Sequence, residues 1–202
     1  MAAVAVVCHC RLVEFLVTGV RVFVLLEQMM QHICEYVSPI GPLTLSSDGE
    51  NITGLWMKGQ KYYGHTLEKE TSEERVAVFD AAAAWLDAYF EGEAPPCLLP
   101  LAPRGSPFRQ AVWKRLCAIP YGSVTTYGKI AQSVAREMGL PSMSAQAVGG
   151  AVGHNQISII IPCHRVVGTD GGLTGFAGGI EKKKWLLALE KAGTPSLFDP
   201  HP

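Results

Sequence analysis

The sequence has no Cys-x-x-Cys pair, no apolar stretch long enough to cross a bilayer, and almost no net charge. Each absence excludes something. Its six cysteines, Cys8, Cys10, Cys34, Cys97, Cys117 and Cys163, lack the regular spacing of a secreted disulfide framework, which points to a reducing cytosol and a cytoplasmic protein. Residues 1–29 are apolar, but Arg11, Glu14, Arg21 and Glu27 interrupt them before about 18 uncharged positions accumulate, so no membrane partner is expected. A secretory signal would start with basic residues, and this segment does not. Because Met29 and Met30 follow, it reads as an extension added by an upstream start. There is no internal repeat either. What remains is a globular chain whose 48% apolar content suffices for a buried core.

The net charge of -1 conceals a division. Up to Pro103 there are 6 Lys+Arg against 13 Asp+Glu, whereas from Arg104 onward there are 11 against 5. Such asymmetry favours two domains, the second suited to a polyanion, although a solvated surface with no partner gives the same pattern. The stretch "EAPPCLLPLAPRGSP" falls at the switch and reads as an extended linker.

Before the linker, Leu43–Ser46 and Ile52–Met57 read as a hairpin turned at Asp48-Gly49. Next, "TSEERVAVFDAAAAWLDAYFEG" predicts an amphipathic helix with a capping box at Thr71 and Glu74, buried through Val76, Phe79, Ala83, Leu86 and Phe90. After the linker, Ser106 and Pro107 open a helix with Phe108, Val112 and Leu116 on one face. A second runs from about Thr126 to Met138, and a third from near Ser144 to near Gly153, matching a helix-turn-helix. The third helix has almost no bulk, and each of its glycines costs it about 1 kcal/mol. Something therefore approaches its backbone closely, either a neighbouring helix or a nucleic acid. "ISIII" then predicts a buried strand ended by Pro162, with Cys163 at its edge. "GTDGGLTGFAGG" is a glycine-rich loop with hairpin-turn chemistry at Asp170-Gly171, and "IEKKKWLLALEKAG" a closing helix packed through Trp185, Leu186 and Leu189.

The run Cys163-His164-Arg165 in "IPCHRVVG" carries the chemistry. A strand cysteine is commonly just a small hydrophobe. Here an imidazole and a guanidinium stand beside it, and positive charge favours the reactive thiolate. Consecutive strand residues point to opposite faces, so a bridging water is as good a route for the proton as direct contact. A third group would orient the imidazole, and Glu190 is a candidate. Zinc binding needs about four ligands, and Cys8, His9, Cys10, His32, Cys34 and His65 show no recognised spacing. No metal and no cofactor are expected.

The segments "IPCHRVVG", "AVGGAVGHN", "YGSVTTYGKIA" and "TGFAGG" followed by "WLLALE" together make the chain resemble the O6-alkylguanine-DNA alkyltransferases, over about Cys34 to Glu190. The resemblance implies an α/β (α+β) fold: an RNase H-like N-terminal domain at 30–94, the linker at 95–105, and a winged-helix-like domain with a helix-turn-helix at 106–193. An extension at 1–29 and a tail at 194–202 flank them. It implies a monomer that binds double-stranded DNA containing O6-alkylguanine, flips the base out, and takes its alkyl group irreversibly onto its own cysteine, once per molecule. O4-alkylthymine is a further candidate substrate.

On that template Cys163 is the acceptor, His164 removes its proton through water, Glu190 orients His164, and Asn155 holds the turn before the active-site segment. Tyr127 helps rotate the nucleotide and contacts the base. Arg165 anchors the site from behind. Gln146, Ala147, Gly149 and Gly150 belong to the recognition helix that meets DNA, while Phe176 and the backbone of Ala177 wall the pocket. Three positions depart from the family pattern. Gln146 stands where many relatives place an arginine finger and lacks its charge. Gln156 replaces a proline, which should loosen that turn. Phe176 replaces a frequent tyrosine. A non-catalytic sensor of alkylated DNA and a cysteine-based redox module that binds DNA are the alternatives, and the presence of Cys163 argues against the first.

Overall fold

The computed structural model describes residues 11–17, 20–26 and 30–190, which form a mixed α/β structure. The chain divides into two units, residues 1–30 and 31–202. Within the first, β1 (Arg11–Val17) and β2 (Val20–Leu26) pair antiparallel as a hairpin. The rest of the 1–29 extension and the 194–202 tail lie outside the described residues.

In the second unit, β3 (Gln31–Ser38), β4 (Gly41–Ser47), β5 (Ile52–Met57) and β6 (Thr71–Ser72) form a sheet ordered β5-β4-β3-β6. The hairpin expected between β4 and β5 is present. Gly49 takes a left-handed φ of 105°, and Asp48 Oδ1 accepts from the Asn51 N–H at 2.7 Å. Helix α1 (Ala77–Phe90) packs across β3, β4 and β5, and Leu43, Leu55 and Leu86 are fully buried between them. Each such side chain contributes roughly 2 kcal/mol.

The helix starts later than the capping box predicts. Thr71 pairs with Gln31 in β6, and Val76 occupies the N-cap with no side-chain cap, because the strand takes the residues the cap would have used. Its buried face is also rotated. Val78, Phe79, Ala82, Leu86 and Tyr89 point inward, which brings Tyr89 into the core in place of Phe90.

Beyond the linker, α2 (Pro107–Cys117), α3 (Tyr127–Glu137) and α4 (Ala145–Gly153) pack on one another. Each is capped by the hydroxyl of the residue before it. Ser106, Thr126 and Ser144 accept from the N–H groups of Arg109, Lys129 and Gln146. The Trp113 indole reaches from α2 to the Ala151 carbonyl at 3.0 Å, which ties α4 down despite its lack of bulk. One continuous core joins these helices to α1 and the sheet.

"ISIII" is not a strand. Only Ile157 makes a bridge, to Leu55, and the chain then turns, with Ile159 at φ 72°. The segment is buried on every side and has no neighbouring strand to continue along, so its backbone groups pair locally and with β5. Leu55 N–H donates to the Gln156 carbonyl (2.8 Å) and Ser158 N–H to the Leu55 carbonyl (2.9 Å). Cys163 accordingly sits on a short 3-10 turn, Cys163–Arg165. Gln156 does not loosen this region. It is 1% exposed, its amide oxygen accepts from Arg104 N–H at 2.9 Å, and its amide nitrogen donates to the Arg104 carbonyl, so it clamps linker to turn. The pair β7 (Thr125–Thr126) and β8 (Val166–Val167) is parallel, and Asp170-Gly171 turns a loop, not a hairpin. Helix α5 (Ile180–Glu190) buries Lys183, Leu186, Leu187 and Glu190, while Trp185 stays 38% exposed.

Candidate active site

The 3-10 turn and the end of α5 bring Cys163, His164 and Glu190 together inside the protein. Turning replaces the alternation of a strand, so Cys163, His164 and Arg165 are all buried. The His164 ring is fully enclosed, and its Nε2–H donates to Glu190 Oε1 at 2.6 Å. That bond fixes the tautomer and leaves Nδ1, which is buried and has no protein partner, as a proton acceptor. Burial pushes the imidazole below its ordinary pKa, against the pull of Glu190, so it is neutral near pH 7.

Burial alone would raise the carboxyl of Glu190. Hydrogen bonds from His164 and Arg165 outweigh it and hold the group at about 2. Arg165 reaches both carboxylate oxygens through Nε (2.9 Å to Oε2) and one through Nη2 (2.9 Å to Oε1), and its Nη1 donates to the Ile119 carbonyl at 2.7 Å. It braces the carboxylate and lines a smaller cavity, not the one over α4.

Cys163 is 4% exposed, and burial raises its thiol above the ordinary value. The Asn155 amide, the charge of Lys183 and the N–H groups of Cys163 and His164 pull the other way. Burial outweighs these groups, so the resting group is a thiol, and they lessen the cost of its ionisation. Asn155 also donates to the Ile161 carbonyl (2.8 Å) and accepts from Ile157 N–H (3.1 Å), closing the turn that leads to the cysteine.

A cavity of about 630 Å³ opens over α4; Cys163 is not among its lining residues, but Tyr127, which lines it, is close enough to feel the charge of the Cys163 thiolate. Tyr127, Gln146, Gly149, Gly150, Phe176 and Ala177 line it; Ala147, although exposed on the same helix, does not. A methyl built on Gly150 would meet nothing within 4 Å, while one on Gly149 would lie 3.8 Å from the Tyr127 ring. The glycines therefore keep an open floor beside an aromatic wall. Tyr127 donates its hydroxyl to the Thr174 carbonyl at 3.0 Å, which ties the glycine-rich loop to α3.

Two members of the site escape the sequence reading. Lys183 is entirely buried and donates through Nζ to the carbonyls of Val166 (2.6 Å) and Thr174 (3.1 Å), and burial lowers its pKa to about 8. Tyr89, from α1, donates to Glu190 Oε1 at 2.8 Å. The spacing Lys183, Leu186, Leu187, Glu190 is one helical face, and that signal was available.

Comparison with known proteins agrees with this geometry. Residues 107–192 match the family model described as 6-O-methylguanine DNA methyltransferase, DNA binding domain, and residues 35–103 the model of its ribonuclease-like domain. A methylated-DNA--protein-cysteine methyltransferase of Mycobacterium bovis is 44% identical over 173 residues, 84% of this chain and 100% of that protein. One from Haemophilus influenzae is 43% identical over 77% of this chain and 84% of its own length. The crystal structure of Mycobacterium tuberculosis OGT in complex with DNA superposes with a TM-score of 0.69 at 44% identity, covering 79% of this chain and 92% of that one. With a ribonuclease-like half, a DNA-binding half and 44% identity over the full length of a curated relative, the chain belongs to the methylated-DNA--protein-cysteine methyltransferase family.

Proposed function

We propose that the protein repairs alkylated DNA by taking the alkyl group of an O6-alkylguanine onto Cys163, and that each molecule does so once. The observation that carries this reading is the buried Glu190–His164 pair beside Cys163, with His164 Nδ1 lacking any protein partner. Glu190 stays ionised and holds Nε2–H, so Nδ1 can take the thiol proton through one water. The thiolate attacks the alkyl carbon; the S–C bond forms as the C–O6 bond breaks, and the guanine leaves with a proton and without its substituent. A thioether has no thiolate to return, so no second turnover follows.

The cavity over α4 would hold the extruded base between Tyr127 and Phe176, and the Ala177 backbone would meet its O6 edge. The glycine floor would let the DNA backbone lie against α4, and the basic excess after Arg104 would attract it. DNA is thus the partner. No helix among the described residues is long and apolar enough to cross a membrane.

The test is mass spectrometry after incubation with an oligonucleotide carrying O6-methylguanine. The Cys163 peptide should gain one CH2, and Cys163→Ser should gain nothing while still binding the duplex. A methyl found on another cysteine, or bound DNA with no methyl transferred, would overturn the assignment, the latter outcome in favour of a sensor.

A further inference from the structure

The cavity has a wall that the helix-turn-helix does not supply. After β5 the chain turns through Gly59 (φ 78°), Tyr62 (φ 62°) and Gly64 (φ 61°). Glycine enters this region freely, but a tyrosine there is an outlier that persists only where its surroundings hold it. Those surroundings are specific. Gln60 is 6% exposed, and its Oε1 accepts from Met57 N–H at 2.8 Å and from the Ser158 hydroxyl at 3.3 Å. Lys61 N–H donates to the carbonyl of Ala177, another residue lining the cavity, at 2.9 Å.

The strained turn delivers the Tyr62 ring onto His154, at the C-terminal cap of α4, with centroids 4.0 Å apart and planes 21° from parallel. His154 Nδ1 donates to the Gly150 carbonyl at 2.7 Å, which holds the ring in place beneath Tyr62. Lys61 Nζ lies 4.9 Å from the Tyr62 ring centroid. Lys61, Tyr62 and His154 all line the cavity, and among the described residues lining it Lys61 is the only lysine or arginine and none is acidic.

We propose that Lys61 and Tyr62, the latter seated on the His154 ring, form a phosphate-contact site for duplex DNA, through which the N-terminal half grips the strand lying over α4. The proposal rests on the reading of that cavity as the place of the extruded nucleotide. An ammonium and a phenol hydroxyl are donors that phosphate oxygens accept, and such contacts fix the register of a duplex without reading its sequence. The Tyr62 ring is held by its stack on His154 before DNA arrives, so little of its freedom is lost on binding. The site also lies beside Gln146, which supplies no charge of its own.

The experiment measures affinity for an undamaged duplex over a series of salt concentrations. Lys61→Gln, a change at an exposed position, should weaken binding several-fold and reduce the slope of log K against log salt by about one. Tyr62→Ala should also weaken binding, and Tyr62→Phe, which keeps the stack, should lose less. Unchanged affinity with Lys61→Gln, or a loss of affinity at constant slope, overturns the site. If Tyr62→Ala melts early, Lys61→Gln still decides. Methyl transfer by the wild type is scored separately, so failure of the repair assignment and failure of the phosphate site give different results.

Discussion

Glu190 accepts from four donor atoms on three side chains, one each from His164 and Tyr89 and two from Arg165, and from the Gly122 N–H. Glu190→Gln would leave the Arg165 guanidinium buried without its counter-charge, at a cost of about 3–5 kcal/mol. It would also remove the group that keeps His164 a base, so methyl transfer should slow on the order of a hundredfold. Single-turnover kinetics and a melting curve on the same variant check both. Acid should act through the same residues. Glu190 titrates at about 2 when folded and near 4.5 otherwise, and His164 lies below its ordinary 6.5. In both cases the unfolded chain binds the extra proton, so stability is present above these ordinary values and is lost as pH falls from about 6.5 toward about 2. The wild-type Tm should decline across that window, and Glu190→Gln should flatten its lower part. For Lys183, replacement by Met removes the positive charge that favours the Cys163 thiolate. The pH profile of transfer should shift upward; an unmoved profile would reduce Lys183 to a purely structural brace of Val166 and Thr174.

Helix α4 shows what a weak element is kept for. Gly150 has helical backbone and open space where a side chain would begin, so Gly150→Ala should stabilise the protein by about 0.5–1 kcal/mol. The added methyl stands on the face assigned to DNA, so duplex affinity should fall while Tm rises. Affinity that rises together with Tm would mean the glycine serves something else. Helices α2, α3 and α4 were legible in the sequence almost to the residue because their caps are local signals, a hydroxyl followed by N–H groups that need it. The strand at "ISIII" was not, because apolar content reports burial and says nothing about whether a neighbouring strand exists to pair with. The capping box at Thr71 failed for a related reason: pairing with Gln31 is a long-range contact that no window of sequence contains. Cys163 and His164 stand in one short motif and Glu190 in the closing helix, and the structure brings the three together. Lys183 is absent from the sequence reading, which packs the closing helix through Trp185, Leu186 and Leu189, and Tyr89 is absent because that reading places Phe90 in the core.

At the scale of the molecule, the basic excess after Arg104 predicts that duplex affinity falls as salt rises, with a log–log slope near -0.9 for each phosphate neutralised. A slope close to zero would place the binding energy elsewhere. The hydroxyl that α1 extends to Glu190 has a different consequence. Tyr89 is wholly enclosed, and the apolar interior around it runs without a break from the sheet through α2 to α5. Severing the ribonuclease-like half from the rest would expose both sides of that interior and strip the carboxylate of a donor at once. Calorimetry on residues 31–202 should therefore record a single endotherm, with van't Hoff and calorimetric enthalpies in agreement, and a freshly translated chain would stay unreactive until its first half had closed against its last helix.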